Sequence, residues 1–146
     1  MQLSSEQVAP YLSRYLMGGW REDELQLVAV EVERDRITGT VDVVRSFAAG
    51  DGQFHLTVPQ AFLWIAQLGI IHGCWDHELK QKPGEIYLRE IGLQCRSAVR
   101  DPRGIEVTIN ITARRNVAGG CFYQGTLDVG AAAFVGEAKY VLPLGE

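Results

Sequence analysis

The first third of the chain alternates apolar and polar residues with a period of two. Val28, Val30 and Val32 alternate with smaller or charged residues, and after Arg34-Asp35-Arg36 the same period resumes over 37–43. Such alternation is typical of a strand with one buried face, and a short charged interruption between two such runs is typical of a turn. The segment therefore predicts a β-hairpin.

The period of two returns in the second half of the chain. It is most regular from Ile105 to Ala113, where every second residue is apolar. Turn-forming residues separate the segments: a loop at 101–104, Gly119-Gly120, and Gly130 to Ala132. We therefore predict four further strands, at residues 87–96, 105–113, 122–129 and 134–142.

The segment from Pro59 to Cys74 has a different pattern. It is almost continuously apolar over too many residues for a strand, which predicts a helix buried on nearly every side. Thr57 and Gln60 have the T-x-x-Q spacing of a capping box, and Pro59 suits the first helical turn. Glycines in 48–52 predict a loop before this helix.

A helix without a polar face needs a cover on all sides, which a curved sheet provides. A second helical pattern, apolar positions from Val8 to Leu16 after Ser4-Ser5, predicts a short N-terminal helix. Together the elements predict an α+β hotdog fold, in which an antiparallel sheet of about six strands wraps around one long buried helix. No repeat or linker interrupts the pattern, so residues 1–146 are expected to form a single domain.

Composition narrows the function classes. The chain has 146 residues, 47% of them hydrophobic, and its net charge of −4 is spread without a basic stripe, which disfavours nucleic-acid binding. No apolar run is long enough to span a bilayer, and the N-terminus lacks the order of a secretory signal, so a cytoplasmic location is expected. Three cysteines without a CxxC pair favour reduced thiols. His72 and His77 flank Asp76, but we predict no metal site and no cofactor there.

The stretch from His55 to Leu68 resembles the start of the central helix in FcoT-like long-chain fatty acyl-CoA thioesterases. That family has a His-Phe-Asn-Ala-Val-Glu opening followed by Asn-Gln-Leu. His55 matches the histidine, Gln60 stands where the glutamate stands, and Gln67-Leu68 matches the Gln-Leu. Further stretches that resemble the family are residues 86–90, 130–132 and 136–137. The resemblance implies the hotdog fold and an acyl-thioester substrate.

Three positions depart from this family pattern. Thr57 and Ala66 stand where the family has asparagines, and Ala49 stands where it has a tyrosine. Hotdog dehydratases resemble the chain equally in outline, but they combine a histidine in a Gly-His-Phe-Pro-Gly loop with a carboxylate inside the central helix. The predicted helix interior has no Asp or Glu, which argues against a dehydratase of the usual design.

Thioester hydrolysis needs a polarised carbonyl, an oriented water and a proton acceptor. The unpaired amides at the start of the central helix, next to Thr57 and Val58, suit a developing oxyanion. The candidate proton acceptors are Asp51 and His55. Each has a structural alternative, because Asp51 lies between turn glycines and a lone histidine is often only a surface residue.

Gln60, Trp64 and Gln67 share one face of the predicted helix, and this polar-aromatic stripe is a candidate contact for a thioester or a bound water. The capping box alone already explains Gln60. We expect Gln67 to be buried, with either a ligand or strand backbone as its hydrogen-bond partner.

Arg96, Arg100 and Arg103 lie close together in sequence beside a turn. They are candidate contacts for the phosphates of coenzyme A or of a carrier protein's phosphopantetheine arm. A solvated turn explains the same three residues without any ligand.

Our first hypothesis is an acyl thioesterase that acts on acyl-CoA or acyl-carrier-protein thioesters, with the acyl chain in a tunnel between the central helix and the sheet of a dimer. The resemblance also implies a homodimer or higher homo-oligomer, which would remove an exposed sheet edge. The alternatives are a non-catalytic hotdog protein that binds acyl thioesters or a protein partner, and a 3-hydroxyacyl thioester dehydratase-like enzyme that uses His55.

Overall fold

A computed structural model describes residues 2, 4–11, 23–46 and 52–145. In chain order the elements are α1 (Ser5–Val8), a 3₁₀ turn (Ala9–Tyr11), β1 (Glu24–Glu33), β2 (Arg36–Arg45), α2 (Val58–Asp76), β3 (Tyr87–Cys95), β4 (Ile105–Val117), β5 (Gly120–Val129) and β6 (Phe134–Pro143). The strands form one antiparallel sheet in the order β1-β2-β4-β5-β6-β3. Six antiparallel strands and one long helix confirm the predicted fold class.

The predicted helix starts are also observed. Ser4 caps α1, and the part of the predicted N-terminal helix beyond Tyr11 lies outside the described residues. At α2 the Thr57 N–H donates to Gln60 Oε1 at 2.9 Å, and the Gln60 N–H donates to Thr57 Oγ1 at 3.4 Å. This reciprocal pair is the predicted capping box. Pro59 follows within the first turn, where its missing N–H costs no helical hydrogen bond.

One side of α2 packs tightly against the concave face of the sheet. Glycines allow this close approach: a Cβ atom added at Gly39 would lie 2.8 Å from Leu68 Cδ2, and one at Gly73 would lie 2.6 Å from Leu142 Cδ2. The residues fully buried between the two layers include Ile37, Val41, Ala61, Ile65, Leu68, Val107, Ile109 and Tyr140. Apolar side chains fill the space between this side of α2 and the sheet in the described part of the chain.

Bulges change the faces of two predicted strands. A register shift between Leu27 and Ala29 interrupts the alternation in β1, and Val28 at this bulge is 54% exposed instead of buried. Val30 lies opposite Gly39 and is 37% exposed because β1 is an edge strand. A second shift, between Ile111 and Ala113, leaves Ala113 exposed. One extra residue reverses the inward and outward order of the side chains that follow it, and the apolar pattern alone does not reveal it.

The other side of α2 remains open. Leu63 is 59% exposed there, and Gln67 is exposed. Strand β3 forms one edge of the sheet, and Tyr87 at its start is 63% exposed. None of the helices among the described residues has the length and apolar character needed to cross a bilayer.

Candidate functional site

A cleft with a volume of about 550 Å³ opens at the start of α2. Residues 55–59 form one wall, residues 95–98 form the other, and Phe134 lies between them. The Leu56 N–H donates to Val99 O at 2.9 Å and so joins the two walls. The cleft therefore lies where the helix begins and β3 ends.

The first turn of α2 leaves one backbone donor without an acceptor. The N–H groups of Thr57 and Gln60 are used by the capping box, and Pro59 has none. Among the described residues the Val58 N–H has no hydrogen-bond acceptor, and Val58 lines the cleft. An unpaired amide at the positive end of a helix dipole can bind an anionic or partly charged oxygen.

Four of the ten predicted site residues line this cleft: His55, Thr57, Val58 and Arg96. The side chain of His55 is exposed and borders the same cleft as the Val58 amide. Cys95 also lines the cleft and has an exposed thiol, which the sequence did not suggest because a lone cysteine carries no spacing signal. Asp51 lies outside the described residues.

The polar-aromatic stripe of α2 is divided between the core and the open side. Gln60 is 1% exposed, and its Nε2 donates to Asp23 Oδ2 at 3.0 Å and to Ser46 Oγ at 3.4 Å. Trp64 is 6% exposed and belongs to the hydrophobic core. Sequence analysis predicts that these two side chains contact a ligand. The structure corrects this prediction, because both side chains are enclosed by protein and neither lines the cleft.

Gln67 requires the opposite correction. We expected it to be buried with hydrogen-bond partners, but it is exposed on the open side of α2. The sheet covers only one side of the helix, and Gln67 lies on the uncovered side together with Leu63. Gln67 does not line the cleft of the single chain.

The three arginines are also separated. Arg103 Nη1 donates to Asp42 Oδ2 at 3.1 Å, outside the cleft. A hydrogen bond from the Gly104 N–H, and then the one from Arg103, hold the pKa of Asp42 below its usual range. Arg100 is exposed and does not line the cleft. Only Arg96 lies where it can contact a ligand in the cleft.

The C-terminal end of α2 contains a connected polar network. Asp76 Oδ1 accepts from Arg114 Nη1 at 2.6 Å, and Asp76 Oδ2 accepts from the Tyr123 hydroxyl at 2.8 Å. Arg114 Nη2 also donates to Arg34 O at 2.6 Å, and Nε2 of the buried His72 lies 2.9 Å from the same oxygen. The helix end is thereby connected to β4, β5 and the β1–β2 turn.

Burial and hydrogen bonding affect the titration of this network. Burial raises the pKa of Asp76, but the hydrogen bond from Tyr123 and the charge of Arg114 outweigh it, so the pKa lies below its usual range. Burial and the bond to Asp76 raise the pKa of Tyr123, which stays protonated. Sequence analysis did not predict the ion pair of Asp76 with Arg114 or the hydrogen bond that Tyr123 donates to Asp76. The available signal was Asp76 itself, because a carboxylate at a helix C-terminus opposes the dipole and needs a cation. Among the described residues, no group of three or more His, Cys, Asp or Glu could hold a metal ion.

No protein-family model matches the chain, and no curated protein matches it in sequence. Solved structures do match. The dehydratase heterocomplex ApeI:P from Xenorhabdus doucetiae has a TM-score of 0.60 at 18% identity, over 80% of this chain and 82% of that chain. A mutant of the thioesterase PA1618 from Pseudomonas aeruginosa has a TM-score of 0.51 at 13% identity, over 99% and 97%.

A third match is smu.793 from Streptococcus mutans bound to acetyl CoA, with a TM-score of 0.54 at 10% identity over 84% of this chain and 90% of that chain. At these identities the likeness shows the hotdog fold and does not identify an activity. The FcoT-like resemblance stays a prediction.

Proposed function

We propose that this protein is an acyl thioesterase that hydrolyses fatty-acyl-CoA or acyl-carrier-protein thioesters in the cleft at the start of α2. The observation that carries the proposal is that the unpaired Val58 amide and the exposed His55 border the same cleft. The matched thioesterase and the matched structure bound to acetyl CoA support the substrate class. A cytoplasmic location stays a prediction.

The proposed reaction adds water to the thioester carbonyl. The Val58 N–H stabilises the oxygen that becomes negative, and His55 accepts a proton from the attacking water. When the C–S bond breaks, the protonated His55 returns that proton to the departing thiolate. The products are a carboxylic acid and a free thiol. Thr57 holds the helix start in place through the capping box.

Arg96 is the proposed contact for the phosphates of the substrate. It lines the cleft on the wall opposite His55, and its side chain is exposed. A guanidinium binds phosphate through charge-assisted hydrogen bonds. Coenzyme A and the phosphopantetheine arm of a carrier protein both carry phosphate, so Arg96 does not distinguish between them.

We further propose that two copies pair along β3 and the open side of α2. Strand β3 has an unpaired edge, and Tyr87, Leu88 and Leu63 are exposed apolar side chains on these two elements. A second copy would extend the sheet and cover these side chains. Gln67 would then lie at the interface between the two copies.

The sharpest test removes one backbone N–H. Val58→Pro eliminates the donor, yet proline suits this first helical position and both partners of the capping box remain. Val58→Ala changes the side chain and keeps the N–H, so it is the matched control. We expect Val58→Pro to lower kcat for thiol release from acyl-CoA thioesters roughly 100-fold, and Val58→Ala to lower it only a few-fold. Equal kcat values for the two variants would show that the Val58 N–H takes no part in the reaction.

A second candidate is a non-catalytic hotdog subunit that binds acyl thioesters or a protein partner. The observation in its favour is that no Asp or Glu lies among the described lining residues of the cleft, so His55 has no carboxylate there to orient it. One matched structure is a heterocomplex, which supports a partner. Acyl-CoA binding without thiol release would favour this candidate.

A dehydratase-like activity is the third possibility, because the ApeI:P match is described as a dehydratase. Such an enzyme needs an acid to protonate the leaving hydroxyl, and no described residue of the cleft supplies a carboxylic acid. Water addition to enoyl thioesters that depends on His55 would favour this activity over hydrolysis.

A further inference from the structure

The turn between β5 and β6 has an unusual backbone conformation. Three consecutive residues are left-handed: Gly130 has a φ of 64°, Ala131 of 54° and Ala132 of 65°. Glycine adopts this region freely, whereas a Cβ atom makes it unfavourable for alanine. The side chains of Ala131 and Ala132 are exposed, so their methyl groups gain no packing in return. Side-chain packing of these two alanines therefore does not offset the cost of the conformation.

The same turn supports one wall of the cleft. Ala133, the next residue, is buried, and its carbonyl oxygen accepts from the Arg96 N–H at 2.7 Å and from the Ser97 N–H at 3.3 Å. Asp128 Oδ1 accepts from the Ala132 N–H at 2.9 Å and fixes the turn from the β5 side. The position of the wall at residues 95–98 thus follows from the conformation of the turn.

The turn also contacts the residue that joins the two walls. A Cβ atom added at Gly130 would lie 2.7 Å from Val99 Cγ2, so the backbone of the turn packs closely against Val99. The Val99 carbonyl accepts from the Leu56 N–H, immediately before the start of α2. These two contacts connect the turn with both walls of the cleft.

We propose that the left-handed turn Gly130–Ala132 is a positioning element that fixes the spacing of the two cleft walls. Strained backbone persists where the surrounding structure holds it, and it is concentrated at sites that need a preformed geometry. Alanine makes the turn stiffer than glycine would, and the stiffness is transmitted to the backbone of Arg96 and Ser97. This inference rests on the proposed function in one respect, namely that the ligand of the cleft is an acyl thioester.

The test replaces the strained residues by glycine. Ala131→Gly/Ala132→Gly keeps every hydrogen bond described here and removes the unfavourable methyl groups, so the melting temperature should not fall. We expect amide hydrogen exchange of Arg96 and Ser97 to become about 10-fold faster. We also expect KM for acyl-CoA thioesters to rise about fivefold, with kcat changed less than about twofold. Ala118→Gly, in the β4–β5 turn at the other end of β5, is the control and should change none of these quantities.

The two readouts separate this inference from the proposed function. Unchanged exchange at Arg96 and Ser97 would overturn the positioning role whatever the activity. Faster exchange with an unchanged KM in an active enzyme would overturn it as well. A third outcome is faster exchange in the variant together with a parent that neither binds nor hydrolyses acyl thioesters. That result would support the positioning role and contradict only the proposal that the protein is a thioesterase.

Discussion

The two ends of α2 use their polar groups in different ways. At the N-terminal end the Val58 amide is unpaired and the side chains of His55 and Arg96 are exposed around a cleft. At the C-terminal end a larger cleft, about 710 Å³, lies beside Trp75. Both oxygens of the nearby Asp76 carboxylate are already bound by protein groups, whereas Nε2 of His77 in this cleft has no partner among the described residues.

This difference shows that cleft size alone does not indicate which polar groups are available to a ligand. The Asp76 carboxylate stabilises the fold, since a ligand would have to break an ion pair and a hydrogen bond to reach it. The unpaired groups at the N-terminal end contribute little to the fold and are available for a ligand. The comparison therefore predicts that the stability of the fold depends mainly on the C-terminal end of α2 and the activity mainly on its N-terminal end.

The largest expected stability effect comes from Asp76→Ala. It removes the more buried of the two carboxylates that contact Arg114, together with the acceptor of the Tyr123 hydroxyl, so we expect a loss of about 2–4 kcal/mol of unfolding free energy. Urea denaturation measures it. Asp42→Ala, which breaks the more exposed pair with Arg103, is the control and should lower the unfolding free energy clearly less. Similar losses of unfolding free energy for the two variants would show that the network around Asp76 stabilises the fold no more than an exposed ion pair does.

The next effect separates the two glutamines of α2. Gln60→Ala removes buried hydrogen bonds to the Thr57 N–H and to Asp23, and should cost about 1–3 kcal/mol. Gln67→Ala changes an exposed side chain and should alter the unfolding free energy by less than about 0.5 kcal/mol. Thermal or urea unfolding of both variants checks this. A larger loss for Gln67→Ala than for Gln60→Ala would show that the burial of the two residues is assigned the wrong way round.

The smallest effect concerns pH. The pKa of Asp76 is lower in the folded protein than its ordinary value of 3.8, so the unfolded chain binds this proton more readily. Asp76 therefore stabilises the fold above that ordinary value, and its contribution is lost as the pH falls through the lower folded pKa. The difference in unfolding free energy between the parent and Asp76→Asn should shrink between about pH 5 and pH 2. A constant difference over that range would contradict the lowered pKa.

Most of the fold was predictable because the period of apolar residues changes where the structure changes. The alternating positions Ile37, Val41, Ile105 and Val107 are all buried, and the continuous apolar run at 59–74 lies within α2. The bulge at Val28 was not predictable, since it depends on the pairing of β1 with β2 and not on the residues of β1 alone.

The candidate site was predictable only in part. His55, Thr57 and Val58 are close in sequence, so the helix start places them together. The other wall of the cleft, at residues 95–98, and the strained turn at Ala131 depend on how β3 and β6 pair. No local sequence pattern indicates this pairing. Gln67 was expected to be buried because its neighbours are apolar, but the sheet covers only one side of the helix.

The most direct test of the central claim is the release of free thiol from acyl-CoA thioesters of graded chain length by the parent protein and by His55→Ala. We predict turnover with a chain-length optimum in the parent, and a kcat lower by about 10²- to 10⁴-fold in His55→Ala, with an unchanged unfolding free energy. Turnover that survives the substitution, or an absence of turnover in the parent, would contradict the proposal that the cleft at the start of α2 hydrolyses acyl thioesters.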